Sequence, residues 1–134
     1  QDFTCYGFRD FQFFIDFYKR IDVFVSPNKP FTLGGNFDGF PLGTSYEAGI
    51  CGAVVMMTDY LNENEVYEDQ IDYFNINDGV EQIIASCDYL ILNPEKMHQM
   101  VENFRTKNFN FSNNNEALNR KIDVLAKSIR ASKL

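Results

Sequence analysis

FDGFPLGTSYEAGICGAVVMMTD, residues 37–59, is the most informative part of this chain. It opens as a glycine-rich loop carrying Asp38 and passes into a short helical pattern carrying Glu47. It ends in the apolar run Ala53-Val54-Val55-Met56-Met57, closed by Thr58-Asp59. A short continuous apolar run bounded by turn residues has the composition of a strand buried on both faces. Just upstream, IDVFVSP (21–27) has the same composition and stops at a proline, which cannot donate to a ladder. Strand, glycine loop, short helix and strand is the order of a phosphate- or nucleotide-handling unit in an open α/β sheet.

Nearer the amino terminus, Asp2 to Tyr6 has the pattern of a short strand ending at Gly7. From Asp10, the residues Phe11, Phe14, Ile15 and Tyr18 recur at helical spacing, which predicts a helix over 10–20 with one aromatic face. Gly43-Thr44-Ser45 offers a hydroxyl N-cap to a helix over 44–51. Ile71 to Ile76 alternates weakly, as a short strand would. Asp78-Gly79-Val80-Glu81 resembles a capping box opening a helix over 79–92. Asn93-Pro94 restarts a helix over 94–105, with proline at the permitted first position. Beyond the asparagine-rich break 108–115, Leu118, Ile122, Leu125 and Ile129 mark an amphipathic helix over 115–131. Strands alternating with helices give an α/β chain with a Rossmann-like parallel sheet and flanking helices.

At 134 residues the chain fits one domain, and its 45% apolar content supports a buried core. Twelve basic against nineteen acidic residues give a net charge of −7, without a basic cluster that would track a phosphate polymer, which argues against nucleic acid. The basic residues Arg120, Lys121, Lys127, Arg130 and Lys133 gather in the last helical segment, as a solvated face or a surface for an anionic membrane or partner. Cys5, Cys51 and Cys87 are widely spaced in apolar contexts, and His98 is the lone histidine. The expectation is buried, reduced thiols in a cytosolic protein and no metal site. No run approaches the ~18 apolar residues of a membrane span.

The same stretch resembles the donor-binding half of retaining, family-4 glycosyltransferases of the GT-B fold. The residues that carry the resemblance are Asp22 to Pro27, Asp38-Gly39-Phe40-Pro41-Leu42, Glu47-Ala48, Cys51-Gly52 and Val54 to Asp59, followed by Asn77-Asp78-Gly79 and Asn93-Pro94-Glu95. It covers about residues 3 to 105. A GT-B enzyme needs two Rossmann-like domains facing across a cleft, so the resemblance implies a C-terminal piece of a longer protein. Residues 1–110 would form part of the donor-binding domain, and 111–134 an amphipathic helix packing on it or on the missing domain.

The resemblance also implies a function. The substrate is a nucleotide-diphosphate sugar, with no cofactor and no metal. The acceptor is a glycan or lipid-linked molecule reached through the missing N-terminal domain, as in cell-surface polysaccharide synthesis. The setting is cytoplasmic, at most peripheral to the inner face of the membrane. Glu47 stands where the family has its ribose-binding acid, and Asp38 where the first acid meets the transferring sugar. Eight residues separate the two here, and the first is aspartate, whereas the family has seven and two glutamates. Gly7-Phe8-Arg9 falls at the base-contacting turn. Gly39, Phe40, Pro41, Leu42, Gly43 and Thr44 lead into a helix start, where free N–H groups meet phosphate.

Each of these residues also has a plain structural reading. A glutamate in a first helical turn is favoured by the macrodipole, an aspartate before glycine caps a turn, and a glycine loop serves a tight connection. Gly43-Thr44-Ser45-Tyr46-Glu47-Ala48-Gly49 also looks like the Gly-Thr-aromatic-Glu-x-Gly segment of nucleoside 2-deoxyribosyltransferases. A third reading is a non-catalytic binding module. A half-domain cut from a larger sheet exposes apolar faces, which predicts self-association through Phe11, Phe14 and Tyr18 or through Leu118, Ile122 and Leu125.

Overall fold

The computed structural model describes residues 3–30, 40–77, 79–109 and 122. Its elements run α1 (Phe11–Tyr18), β1 (Val23–Ser26), α2 (Gly43–Cys51), β2 (Val54–Met57), β3 (Phe74–Asn75), α3 (Val80–Leu92) and α4 (Pro94–Phe109). The strands form one parallel sheet in the order β1-β2-β3, with Val23 opposite Val54 and Met56 opposite Phe74. The α/β class with a parallel sheet and flanking helices is thus observed. The helix expected over 115–131 and the Asp78 cap lie outside the described residues, apart from Ile122.

All four residues of β2 are buried, because it is the central strand and both its faces are covered. The pleat sends Val54 and Met56 to one face, where they meet Phe74, Ile76, Leu90, Met100 and Val101. Val55 and Met57 point to the other and meet Tyr73 and Phe104. On that second side α1 and α2 are joined by Tyr18, Ala48 and Ala53. Burying apolar area at ~25 cal/mol per Å2 makes this strand the main source of the sheet's stability.

α1 opens at Asp10, whose carboxylate accepts the Phe13 N–H at 2.8 Å. Its aromatic face divides. Tyr18 is buried, edge-on to the Phe24 ring at 5.7 Å, whereas Phe11 and Phe14 are exposed. α2 ends at Gly52, whose φ of 115° sends its N–H back to the Ala48 carbonyl. β2 reaches β3 in parallel without a crossover helix. Asp59 organises the connection by accepting the Glu63 and Asn64 N–H groups, and its own N–H donates to Asn77 Oδ1 at 2.8 Å.

Several expectations are corrected. Residues 3–7 form no strand: they pair with no neighbour, and Phe3 is 86% exposed. Cys5 is accordingly exposed rather than buried, and Cys51 and Cys87 are half-buried. The weak strand pattern over 71–76 narrows to Phe74–Asn75. α2 starts one residue early, with Leu42 at the N-cap and no side-chain cap, so neither Thr44 nor Ser45 supplies the expected hydroxyl cap. α4 runs on to Phe109, four residues past its expected end at 105. No helix among the described residues is long and apolar enough to cross a membrane.

Candidate functional site

Because β1 and β2 are parallel, their carboxyl ends open on the same edge of the sheet, where open α/β sheets place ligands. Two side-chain bonds order that edge. The Thr58 hydroxyl donates to the Asn28 carbonyl, and Asn28 Nδ2 donates to Ser26 Oγ at 3.3 Å. Phe40, Leu42 and Ser45 close the other side, leaving a cleft of about 10 Å3, room for about one water molecule. Phe40, which follows the loop and precedes a cis Phe40–Pro41 bond, is anchored by the rings of Tyr67 and Tyr73 at 6.2 and 5.7 Å.

The amino end of α2 looks onto this cleft. Leu42 has no side-chain acceptor to offer, and the first N–H returned to the helix is that of Tyr46, to the Leu42 carbonyl at 3.0 Å. The N–H groups of the first turn have no acceptor within the helix itself, and the macrodipole adds partial positive charge there.

Ser45, in the same turn, is fully buried and lines the cleft. Its hydroxyl has no hydrogen-bond partner among the described residues. Helical serines ordinarily bond back to the preceding turn or face water. A buried hydroxyl left unpaired costs roughly 1–3 kcal/mol. A hydroxyl and a helix start converging on one small cleft can receive an anionic oxygen.

Glu47 does not line the cleft. It follows Ser45 by two positions, about 200° around a helix, and lies half-buried toward α1. There it acts on Tyr18: burial pushes that phenol up, and the nearby Glu47 carboxylate and the Cys51 thiol push it further. No hydrogen bond among the described residues holds the Glu47 carboxylate.

Of the other residues expected at the site, Phe40 and Leu42 line the cleft, Pro41 is half-buried beside them, and Gly43 and Thr44 are exposed at the helix start. Gly7 and Arg9 lie on the exposed segment before α1, where the Arg9 guanidinium sits 5.4 Å from the Phe13 ring centre. Asp38 and Gly39 lie outside the described residues. Among the described residues, no group of three or more His, Cys, Asp or Glu is placed to hold a metal ion.

Sequence reasoning missed Ser45, Asn28 and Thr58 as cleft residues. For Ser45 a signal was present, since positions 45, 48 and 49 are all small and share one helical face, the face that meets the sheet. Comparison with protein-family models, curated proteins and solved structures finds no match.

Proposed function

We propose that this chain is the donor-binding part of a glycosyltransferase acting on a nucleotide-diphosphate sugar, with the diphosphate at the start of α2. The observation that carries the reading is Ser45: a fully buried hydroxyl, unpartnered among the described residues, beside a helix start at the carboxyl edge of a parallel sheet. Phosphate oxygens accept from such a hydroxyl and from first-turn N–H groups together.

A nucleotide sugar is long, and its parts need not share one cleft. Glu47, around the helix on the α1 side, accepts from the ribose diol; the segment from Gly7 to Arg9 meets the base; Asp38 meets the transferring sugar. The acceptor, a glycan or lipid-linked molecule of a polysaccharide pathway, is met by an upstream domain of the parent protein. The chain by itself binds donor and transfers nothing.

The test is amide chemical-shift titration of the labelled chain with UDP, ADP and GDP, and with the matching nucleosides. The expected result is saturable shifts at Gly43, Thr44 and Ser45 with one of the diphosphates, reversed by inorganic pyrophosphate and weaker with the nucleoside. No shift at those amides with millimolar diphosphate, or equal shifts from nucleoside and nucleotide, overturns the reading.

A further inference from the structure

On its inner side α3 buries Leu90 and packs Ile83 and Cys87 against the core. Its outer side is also apolar: Val80 is 64%, Ile84 56% and Ile91 74% exposed. At 100° per residue these three fall within about 40° of one another, so they form a single stripe along the helix. The stripe borders the core-facing side of α3, about 80° round from it, so the apolar arc of the helix extends beyond what the core covers and is wide enough to take a second neighbour. The acids of α3 are Glu81 and Asp88, both exposed and both on the outer side beside the stripe, and the helix carries no basic residue.

The chain itself carries a matching partner. Leu118, Ile122, Leu125 and Ile129 recur at spacings of four, three and four, which puts them on one stripe of a helix about as wide. The segment around them, 115–134, holds Arg120, Lys121, Lys127, Arg130 and Lys133 against Glu116 and Asp123, an excess of positive charge opposite in sign to α3. Ile122, the one described residue of that stripe, is helical and 52% exposed. From Phe109, where α4 ends, to Leu118 is nine residues, a reach of up to about 30 Å when extended. α3, thirteen residues long, spans about 20 Å.

We infer that the outer face of α3 is the docking site of the chain's own segment 115–131, held as a helix with its Leu118–Ile129 stripe on Val80, Ile84 and Ile91. By the same spacing Arg120 and Lys127 fall on the far side of the segment, whereas Lys121 and Arg130 flank the stripe and can stand near Glu81 and Asp88, which fixes orientation more than affinity. Docking covers the exposed stripe of α3 together with Ile122 and leaves the cleft at the carboxyl edge of the sheet open.

Hydrogen exchange on the full chain tests this. Amides of 117–129 are expected to be protected, and Ile84→Lys with Ile91→Lys, or Ile122→Lys alone, is expected to lower that protection on the order of tenfold or more. All three sites are exposed, so the amides of β2 and α4 should keep theirs, which controls for folding. Three results overturn the inference. One is an unprotected 117–129 in the unmodified chain. Another is protection indifferent to the α3 substitutions but lost with Phe14→Lys, which places the segment on α1. The third is protection that vanishes on dilution, which makes a second copy of the chain the occupant.

Discussion

The ring of Phe104 lies against Gly49 so closely that a Cβ at that glycine would stand 2.3 Å from Cε1 and 2.6 Å from Cδ1. This is where α4 crosses α2, and the absence of a side chain sets how near the two helices come. Val55 of the central strand closes the same gap from below, at 2.9 Å from that added atom. Phe104 is meanwhile stacked on Tyr67 with centroids 4.9 Å apart, so the ring has nowhere to retreat.

Gly49→Ala is therefore expected to destabilise the fold, although alanine is the better helix former by about 1 kcal/mol. Overpacking a close-packed site costs roughly 1–3 kcal/mol, which outweighs that gain. Urea unfolding is the measurement, and an unchanged or raised midpoint would refute the close approach. A paired Gly49→Ala, Phe104→Leu variant should recover part of the loss.

A second prediction concerns Asp72, whose side chain is 1% exposed and whose partner is Lys107, 36% exposed. One carboxylate oxygen accepts from Lys107 and from the Glu68 N–H, while the other has no partner among the described residues. Lys107→Met leaves a buried carboxylate without its counter-charge. Because Lys107 is partly in water, the expected cost is below that of a fully buried pair, about 1–3 kcal/mol. Replacing both residues, Asp72→Asn with Lys107→Met, should cost less than Lys107→Met alone, and a double-mutant cycle measures the difference.

The sheet was legible in the sequence wherever burial on both faces forced a continuous apolar run. Val54 to Met57 could hardly be read otherwise, and Pro94 marked the start of α4 because proline there sacrifices no hydrogen bond. The element at 2–6 misled because an apolar-polar alternation states a preference for a strand but not the presence of a neighbour to pair with. Ser45 misled differently. Hydroxyl residues at a helix start read as caps, whereas the N-cap is Leu42 and Ser45 stands in the first turn on the face that packs against the sheet. The ties between distant segments, Tyr67 to Asn108 and Lys107 to Asp72, left no local pattern, since 41 and 35 residues separate the partners.

Alkaline pH should weaken the fold through its tyrosines. The phenols of Tyr67 and Tyr73 are raised above the ordinary value of 10.0, chiefly by burial, in Tyr73 in spite of the Asn64 amide that donates to its oxygen. Below about pH 10 the folded and unfolded chains both hold these protons, and the groups add no pH dependence. Above it the unfolded chain gives them up first, so stability falls as pH rises until the folded phenols titrate as well. Denaturant midpoints measured from pH 8 to 11 should fall at the upper end. Tyr67→Phe should lower the starting midpoint, by losing the bond to Asn108, and flatten the alkaline decline. A decline as steep in Tyr67→Phe,Tyr73→Phe as in the unmodified chain would assign it elsewhere.

Ser45→Ala separates a structural serine from one kept for a ligand. A hydroxyl that serves the fold loses a hydrogen bond on truncation, typically about 1 kcal/mol. Ser45 is buried, and its oxygen has no partner among the described residues, so truncation removes an unsatisfied polar atom and little else. The cleft it lines, about 10 Å3, grows only slightly. The expected outcome is a chain as stable as the parent or more stable, by up to about 1 kcal/mol, that binds nucleoside diphosphate more weakly. Losing one charge-assisted bond of about 1.5–3 kcal/mol corresponds to roughly a tenfold to hundredfold weaker affinity. Isothermal titration and thermal unfolding on the same preparation read both quantities. If Ser45→Ala is instead destabilised by more than about 1 kcal/mol and binds the nucleotide as the parent does, the hydroxyl belongs to the fold and the anion site at the start of α2 is refuted.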